Sequence, residues 1–125
     1  MIIDDDKDIT NLFKIFLECN EYNVDAYTNR IEGIQKFRKD SHDLIILDLR
    51  MSQMDGMAFY QKIKEIDDTV IICLSTTDKN YVQGLEKDIL DVEKVVIYKP
   101  ILLRELKNKI DSLLLDETSK SLITN

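Results

Sequence analysis

The sequence predicts an α/β domain, a doubly wound five-stranded parallel sheet with helices on both faces. Three observations predict it. Short apolar runs alternate with segments of helical periodicity along the chain, the pattern of successive strand–helix units. Two of the runs, Leu44–Leu47 and Val70–Leu74, are apolar at every position, which suits strands covered on both faces. The runs also end on polar residues, as strands that open onto a ligand-binding edge do.

The elements follow in order. Met1-Ile2-Ile3 is an unusually short first strand that stops at Asp4, Asp5 and Asp6. Ile9, Leu12, Phe13, Phe16 and Leu17 then take the spacing of a one-faced amphipathic helix. Asn20 to Asn23 break it, and Val24 to Tyr27 form a weaker second strand. Asn29 can cap a second helix with Ile31, Ile34 and Phe37 on its inner face. Gly33 within that helix costs about 1 kcal/mol against alanine, which predicts close packing on the sheet at that point. Leu44–Leu47 is the third strand, ended by Asp48, and a loop through Asp55-Gly56 leads to a third helix marked by Phe59, Tyr60, Ile63 and Ile66. Val70–Leu74 is the fourth strand, running into Ser75-Thr76-Thr77, after which Asp78 can cap a helix holding Val82, Leu85 and Ile89. Val95–Tyr98 is the fifth strand, closed by Lys99-Pro100, and Leu103, Leu106, Ile110 and Leu113 or Leu114 line a last helix. Residues 1–115 are expected to form one domain, and residues 116–125 a polar, frayed tail. There is no internal repeat and no low-complexity tract.

Composition narrows the function. With 125 residues, 44% of them hydrophobic and 33% charged, the chain can bury a core without disulfides or a metal staple. A net charge of -7 repels nucleic acid and anionic membranes, so neither is expected as a partner. No apolar run approaches the ~20 residues that span a bilayer, and no charged leader precedes a long apolar stretch. Cys19 and Cys73 lie in apolar patterns, and both are expected to be buried, reduced thiols in a cytoplasmic protein.

Parallel topology gathers the strand-end residues at one edge: Asp4, Asp5 and Asp6, then Asp48, then Ser75 and Thr76, then Lys99. Clustered carboxylates repel one another unless a cation offsets them. A hard divalent ion with oxygen ligands does so, and Mg2+ suits a site with few carboxylates and several retained waters. A metal and a lysine can also neutralise the oxygens of a phosphoryl group arriving at a carboxylate. The set therefore reads as phosphoryl transfer onto Asp48, with Lys99 ion-pairing with the phosphoryl group and the Ser75 hydroxyl bonding another of its oxygens. Each piece has a plainer explanation. A lone Asp after a strand is a turn former, Ser75 to Asp78 can be helix-capping chemistry, three aspartates can be a solvated turn, and Lys99 an exposed strand end. Their occurrence together at successive strand ends favours the chemical reading.

With these residues in view, the sequence resembles the receiver domain of two-component response regulators over residues 1 to about 115. Asp4-Asp5 resemble the family's acidic pair, Leu47 to Gly56 its phosphoacceptor loop with Asp48 as acceptor, Ser75-Thr76 its switch hydroxyl and small residue, and Lys99-Pro100 its lysine–proline pair, which usually carries a cis peptide. The resemblance implies a flavodoxin-like fold of the receiver type. It implies that Asp5 and Asp48 bind Mg2+, or Mn2+ in its place, directly, with Asp4 helping through water and the Arg50 main-chain carbonyl adding an oxygen. Lys99 would hold the acyl phosphate and Ser75 would move toward it. The implied donor is a histidine kinase or histidine phosphotransfer protein, and the output is a switched binding surface for a downstream protein, presented by a monomer or weak homodimer. The chain is expected to be no enzyme beyond its own phosphorylation and dephosphorylation, with Arg50 and Thr77 placed to tune the latter. His42, the one histidine, matches no donor motif and reads as a surface residue at a strand entrance.

Departures from the family pattern are visible. Ser52 stands where a proline is common, Val96 occupies the aromatic switch position with Tyr98 two residues on, and Asp88 to Lys94 replace a glycine–alanine turn. Two alternatives use the same residues. A haloacid-dehalogenase-like phosphohydrolase needs an Asp two positions after the nucleophile, where this chain has Arg50. A pseudo-receiver, an interaction module that is not phosphorylated, would not need the full acidic, hydroxyl and lysine set. A flavin site is disfavoured because three aspartates would face the cofactor phosphate, where donors are needed.

Overall fold

Strand parity decides what each face of the sheet carries. In the computed structural model, which describes residues 1–49 and 56–124 with side chains as far as Leu115, β3 (Leu44–Asp48) sends Ile45 and Leu47 into one core and Leu44 and Ile46 into another. Its neighbours are β1 (Ile2–Ile3) and β4 (Ile71–Thr76), flanked in turn by β2 (Ala26–Tyr27) and β5 (Val96–Tyr98). The order is β2-β1-β3-β4-β5, and every pairing is parallel. The expected doubly wound α/β architecture is thus the observed one.

The core shared by Ile3, Ile45, Leu47, Ile72, Leu74 and Val96 is closed by α2 (Arg30–Lys36), α3 (Gly56–Ile66) and α4 (Lys79–Leu85). These helices contribute residues such as Phe59, Ile63, Val82 and Leu85, and Phe37 adds to them from the end of α2. On the opposite face, Ile2, Ile46, Cys73 and Ile97 pack with Phe13 and Leu17 of α1 (Lys7–Cys19) and Leu106 and Ile110 of α5 (Leu103–Thr124). The helix α5 runs on past Leu115 to Thr124.

Local chemistry explains the boundaries. Asn29 and Asp78 cap α2 and α4 as expected, each accepting two amide hydrogen bonds. Asp6 caps α1 in the same way, from Asp8 and Ile9. Gly33 does press on the sheet: a Cβ there would lie 2.8 Å from Ile3 Cδ1. Val95 belongs to a 3-10 turn, Val92–Val95, so β5 starts one residue later than expected. Asp91 enters that turn in the left-handed conformation, with φ 54°, which Asp tolerates better than most residues.

Three apolar assignments are corrected. Leu12 is 51% exposed and Ile31 50% exposed. A step of one residue turns a helix by about 100°, and the buried stripes are centred on Phe13 and Leu17 in α1 and on Arg30 and Gly33 in α2. Cys19 is likewise exposed, whereas Cys73 is buried, and both are free thiols. Cys19 ends α1 two residues beyond Leu17, on the outward side. No helix among the described residues is long and apolar enough to cross a membrane.

Candidate functional site

Register brings the strand ends together before any side chain is considered. Ile3 pairs with Leu47, so Asp4 and Asp48 leave the sheet side by side, and Asp48 itself pairs with Ser75. Main-chain bonds continue the ladder past the strands, from Leu49 N–H to Ser75 O at 3.0 Å and from Lys99 N–H to Thr76 O at 2.9 Å. The Lys99–Pro100 peptide is cis.

Asp4, Asp5 and Asp48 each present a carboxylate oxygen, all within 4.8 Å of one another. Asp4 and Asp48 are buried and Asp5 is exposed. Asp4 Oδ1 accepts the Asp6 N–H at 3.0 Å and Oδ2 accepts Lys99 Nζ at 2.7 Å. The same ammonium stands 3.7 Å from Asp48 Oδ2. Three carboxylates against this one ammonium leave negative charge in surplus. Oxygens around a Mg2+ ion with ~2.1 Å bonds stand about 3 Å apart when adjacent and about 4.2 Å when opposite, so the cluster has the donor type a hard divalent cation takes and lies close enough for one to draw it in.

The two hydroxyls that end β4 behave differently. Thr76 Oγ1 accepts the Asp78 N–H at 3.1 Å and so belongs to the capping chemistry. Ser75 is 1% exposed, and its Oγ makes no hydrogen bond among the described residues. Leaving a buried hydroxyl unpaired costs about 1–3 kcal/mol, which marks Ser75 as a donor without an acceptor in this state. Thr77 is exposed beyond it.

Sequence reasoning missed two members of this neighbourhood. Thr10, on α1, bonds through Oγ1 to the main-chain oxygens of Asp4 at 3.0 Å and Asp6 at 2.8 Å, tying the acidic turn to the helix. Arg30, the first residue of α2, is fully buried, and its guanidinium donates to the main-chain oxygen of Asp48 at 2.6 Å. The Arg30 guanidinium also stands 5.8 Å from the centroid of the Phe59 ring. A threonine four residues past a cap and an arginine just after one carry no sequence signal of either role.

The other expectations sort by position. Arg50 and Ser52 lie outside the described residues. Gly56, the first residue of α3, is pressed on Leu49: a Cβ there would lie 3.1 Å from Leu49 O. His42 precedes β3 at the opposite sheet edge, with Nε2 2.7 Å from Asp25 Oδ2 and Nδ1 2.7 Å from Ser41 Oγ. Val96 and Tyr98 share the α2–α4 face of the sheet, Val96 buried and Tyr98 partly so. The Tyr98 hydroxyl donates to Glu93 Oε1 at 2.8 Å, and Lys79 Nζ stands 5.4 Å from its ring centroid. Burial, then the Glu93 carboxylate, pushes that phenol up to about 12.

Similarity to known proteins agrees with this geometry. The family model described as response regulator receiver domain matches residues 1–111. The transcriptional regulatory protein ResD of Bacillus subtilis is 34% identical over 116 residues, 91% of this chain and 47% of that protein. The response regulator ArlR of Staphylococcus aureus is 29% identical over 125 residues, 98% of this chain and 55% of that protein. The chain thus spans about half the length of the curated relatives it matches. Among solved structures, a CheY-like receiver domain protein from Methanospirillum hungatei superposes with a TM-score of 0.83 at 23% identity, covering 95% of this chain and 94% of that one. The response regulator TrrA of Thermotoga maritima, solved in complex with Mg2+ and BeF, gives 0.74 at 29% identity, covering 90% and 95%.

Proposed function

This chain belongs to the response regulator receiver domain family, and on that premise we propose that it accepts a phosphoryl group on Asp48 with a divalent cation, Mg2+ or Mn2+, held alongside. Asp5 and Asp48 would ligate the cation directly, Asp4 through water, and the main-chain oxygen of Arg50 would complete the protein's share. When bound, the cation supplies positive charge to the transferring phosphoryl oxygens. A relative in the same family, TrrA, was solved with Mg2+ and BeF, which supports this chemistry.

In the transfer, a carboxylate oxygen of Asp48 attacks the phosphorus of a phosphohistidine on a histidine kinase or phosphotransfer protein. The O–P bond forms as the N–P bond breaks, and the imidazole nitrogen keeps the electron pair. Lys99 lies 3.7 Å from that carboxylate and ion-pairs with a phosphoryl oxygen, while the unpaired Ser75 hydroxyl finds its acceptor on another. The change reaches the face carrying Val96 and Tyr98 and alters binding of a downstream protein. Residues 1–115 form the signalling unit, acting in the cytoplasm as a monomer or weak homodimer.

One observation carries this reading: three carboxylates from two strand ends within 4.8 Å of one another, two of them, Asp4 and Asp48, bridged by Lys99. Intact-mass measurement after incubation with acetyl phosphate and Mg2+ tests it. Wild type is expected to gain one phosphoryl group, and neither Asp48→Asn nor wild type in EDTA should gain any. Equal uptake by wild type and Asp48→Asn would remove Asp48 from this role.

A further inference from the structure

The peptide group that follows Asp48 is gripped from both sides. Its N–H, on Leu49, donates to Ser75 O in β4 at 3.0 Å. Its carbonyl, on Asp48, points the other way, because the two groups of a trans peptide are opposed. That is the side of β1, where the Ile46 N–H meets Met1 O. Yet β1 ends at Ile3: the Asp4 amide faces β2 and bonds Tyr27 O, and the Asp5 amide, next in line on the β3 side, makes no main-chain bond to Asp48 O among the described residues. Arg30 fills the gap with a guanidinium N–H at 2.6 Å.

The cation is held there by design of the helix. Arg30 and Gly33 are the buried pair of α2, and the absence of a Cβ at Gly33 lets α2 settle on Ile3. With α2 this close, the first residue of the helix runs its side chain beneath the end of β3, across the Phe59 ring. Arg30 has no exposed surface. Burying a guanidinium carries a large desolvation cost, and apolar replacements of buried charges are often tolerated or stabilising. Stability alone is therefore a weak reason for an arginine here.

We infer that Arg30 is a positioning residue for phosphoryl acceptance: by fixing the carbonyl of Asp48 where the sheet supplies no donor, it fixes the direction in which the Asp48 carboxylate leaves the strand. This rests on the phosphorylation of Asp48 proposed above. Arg30 acts through the main chain and needs no contact with the cation or the phosphoryl group.

The test compares wild type with Arg30→Met, Arg30→Gln and Arg30→Lys. Each is checked for folding by circular dichroism, for Mg2+ affinity by titration, and for phosphate uptake from acetyl phosphate at saturating Mg2+ and donor. Arg30→Met keeps much of the bulk and loses the donor, and Arg30→Gln is too short to reach Asp48 O. Both are expected to slow uptake about tenfold or more, the scale on which misplaced reacting groups act. Their Mg2+ dissociation constants should rise by much less than the rate falls, since Asp48 is one oxygen ligand among several and Asp4 and Asp5 keep their places. Arg30→Lys retains a donor of similar reach and should restore most of the rate. Should Arg30→Met fail to fold, Arg30→Gln against Arg30→Lys carries the same comparison. Uptake by the folded neutral variants within about twofold of wild type overturns the inference, as does a loss of Mg2+ affinity as large as the loss of rate, the mark of a generally loosened site. A wild type that takes up no phosphate overturns the reading of Asp48 as well, which separates the two failures.

Discussion

Lys99 and Asp4, 95 residues apart in the chain, are joined by a hydrogen-bonded ion pair at 2.7 Å. Both are largely shielded, with side chains 13% and 4% exposed. Removing one partner of such a pair leaves the other charge buried and uncompensated. Lys99→Met is therefore expected to lower stability in metal-free solution by about 2–3 kcal/mol, less than for a fully buried pair because the site borders solvent. Mg2+ should recover more stability in the variant than it adds to wild type, because it replaces the missing positive charge. Urea denaturation with and without Mg2+ measures both, and equal Mg2+ increments would count against a cation site at these carboxylates.

Ser75 and Thr10 offer a contrast between hydroxyls. Ser75 Oγ makes no hydrogen bond among the described residues, so Ser75→Ala should leave stability unchanged or raise it, by up to about 1–3 kcal/mol. Thr10 Oγ1 bonds two main-chain oxygens, and Thr10→Val should cost about 1–2 kcal/mol by taking the hydroxyl from Asp4 O, while Asp6 O keeps the Thr10 N–H. Denaturation midpoints for the two variants decide it, and a larger loss at Ser75 would reverse the reading.

Acid sensitivity is expected at the opposite end of the sheet. The Thr69 hydroxyl, with the amides of Asp40 and Thr69, pulls the Asp67 carboxyl down to about 2. Its folded value lies below the unfolded one of about 3.9, so its contribution is complete above pH ~4 and is lost as pH falls toward ~2. Asp67→Asn should be less stable than wild type at neutral pH, with a shallower decline between pH ~4 and ~2. Parallel acid limbs in the two proteins would exclude Asp67 as a source of that decline.

The thiols should separate cleanly. Cys19 is exposed, and Cys73 is buried with its thiol pushed up to about 12 by burial. Thiolate is the reactive form, so a maleimide should label one cysteine of the native protein and both after denaturation. Rapid labelling of Cys73 in the native state would mean that the α1–α5 face opens far more readily than its packing implies.

Much of the site was legible because strand ends are legible. A continuous apolar run ending in a charged or hydroxyl residue marks the last position of a buried strand, and parallel topology places such positions on one edge. Asp4, Asp5, Asp48, Ser75 and Lys99 could be gathered that way. Arg30 and Thr10 could not, because they approach from helices, and a helix announces its period but not the depth at which it lies on the sheet.

By itself the sequence determined the alternation of elements, the caps at Asn29 and Asp78, and the polar residues that end each strand, since these follow from local periodicity and local hydrogen bonding. Only the tertiary structure decided the phase and depth of the helices. The contact of Gly33 with Ile3 turns Arg30 inward and Ile31 outward, although apolarity alone argues the reverse. It also decided between adjacent hydroxyls, giving Thr76 to the cap of α4 and leaving Ser75, beside Asp48, without a hydrogen bond among the described residues. The reason is the same in both cases. Period says which residues share a face, but what that face meets depends on register and packing distance, which arise only when the elements are assembled.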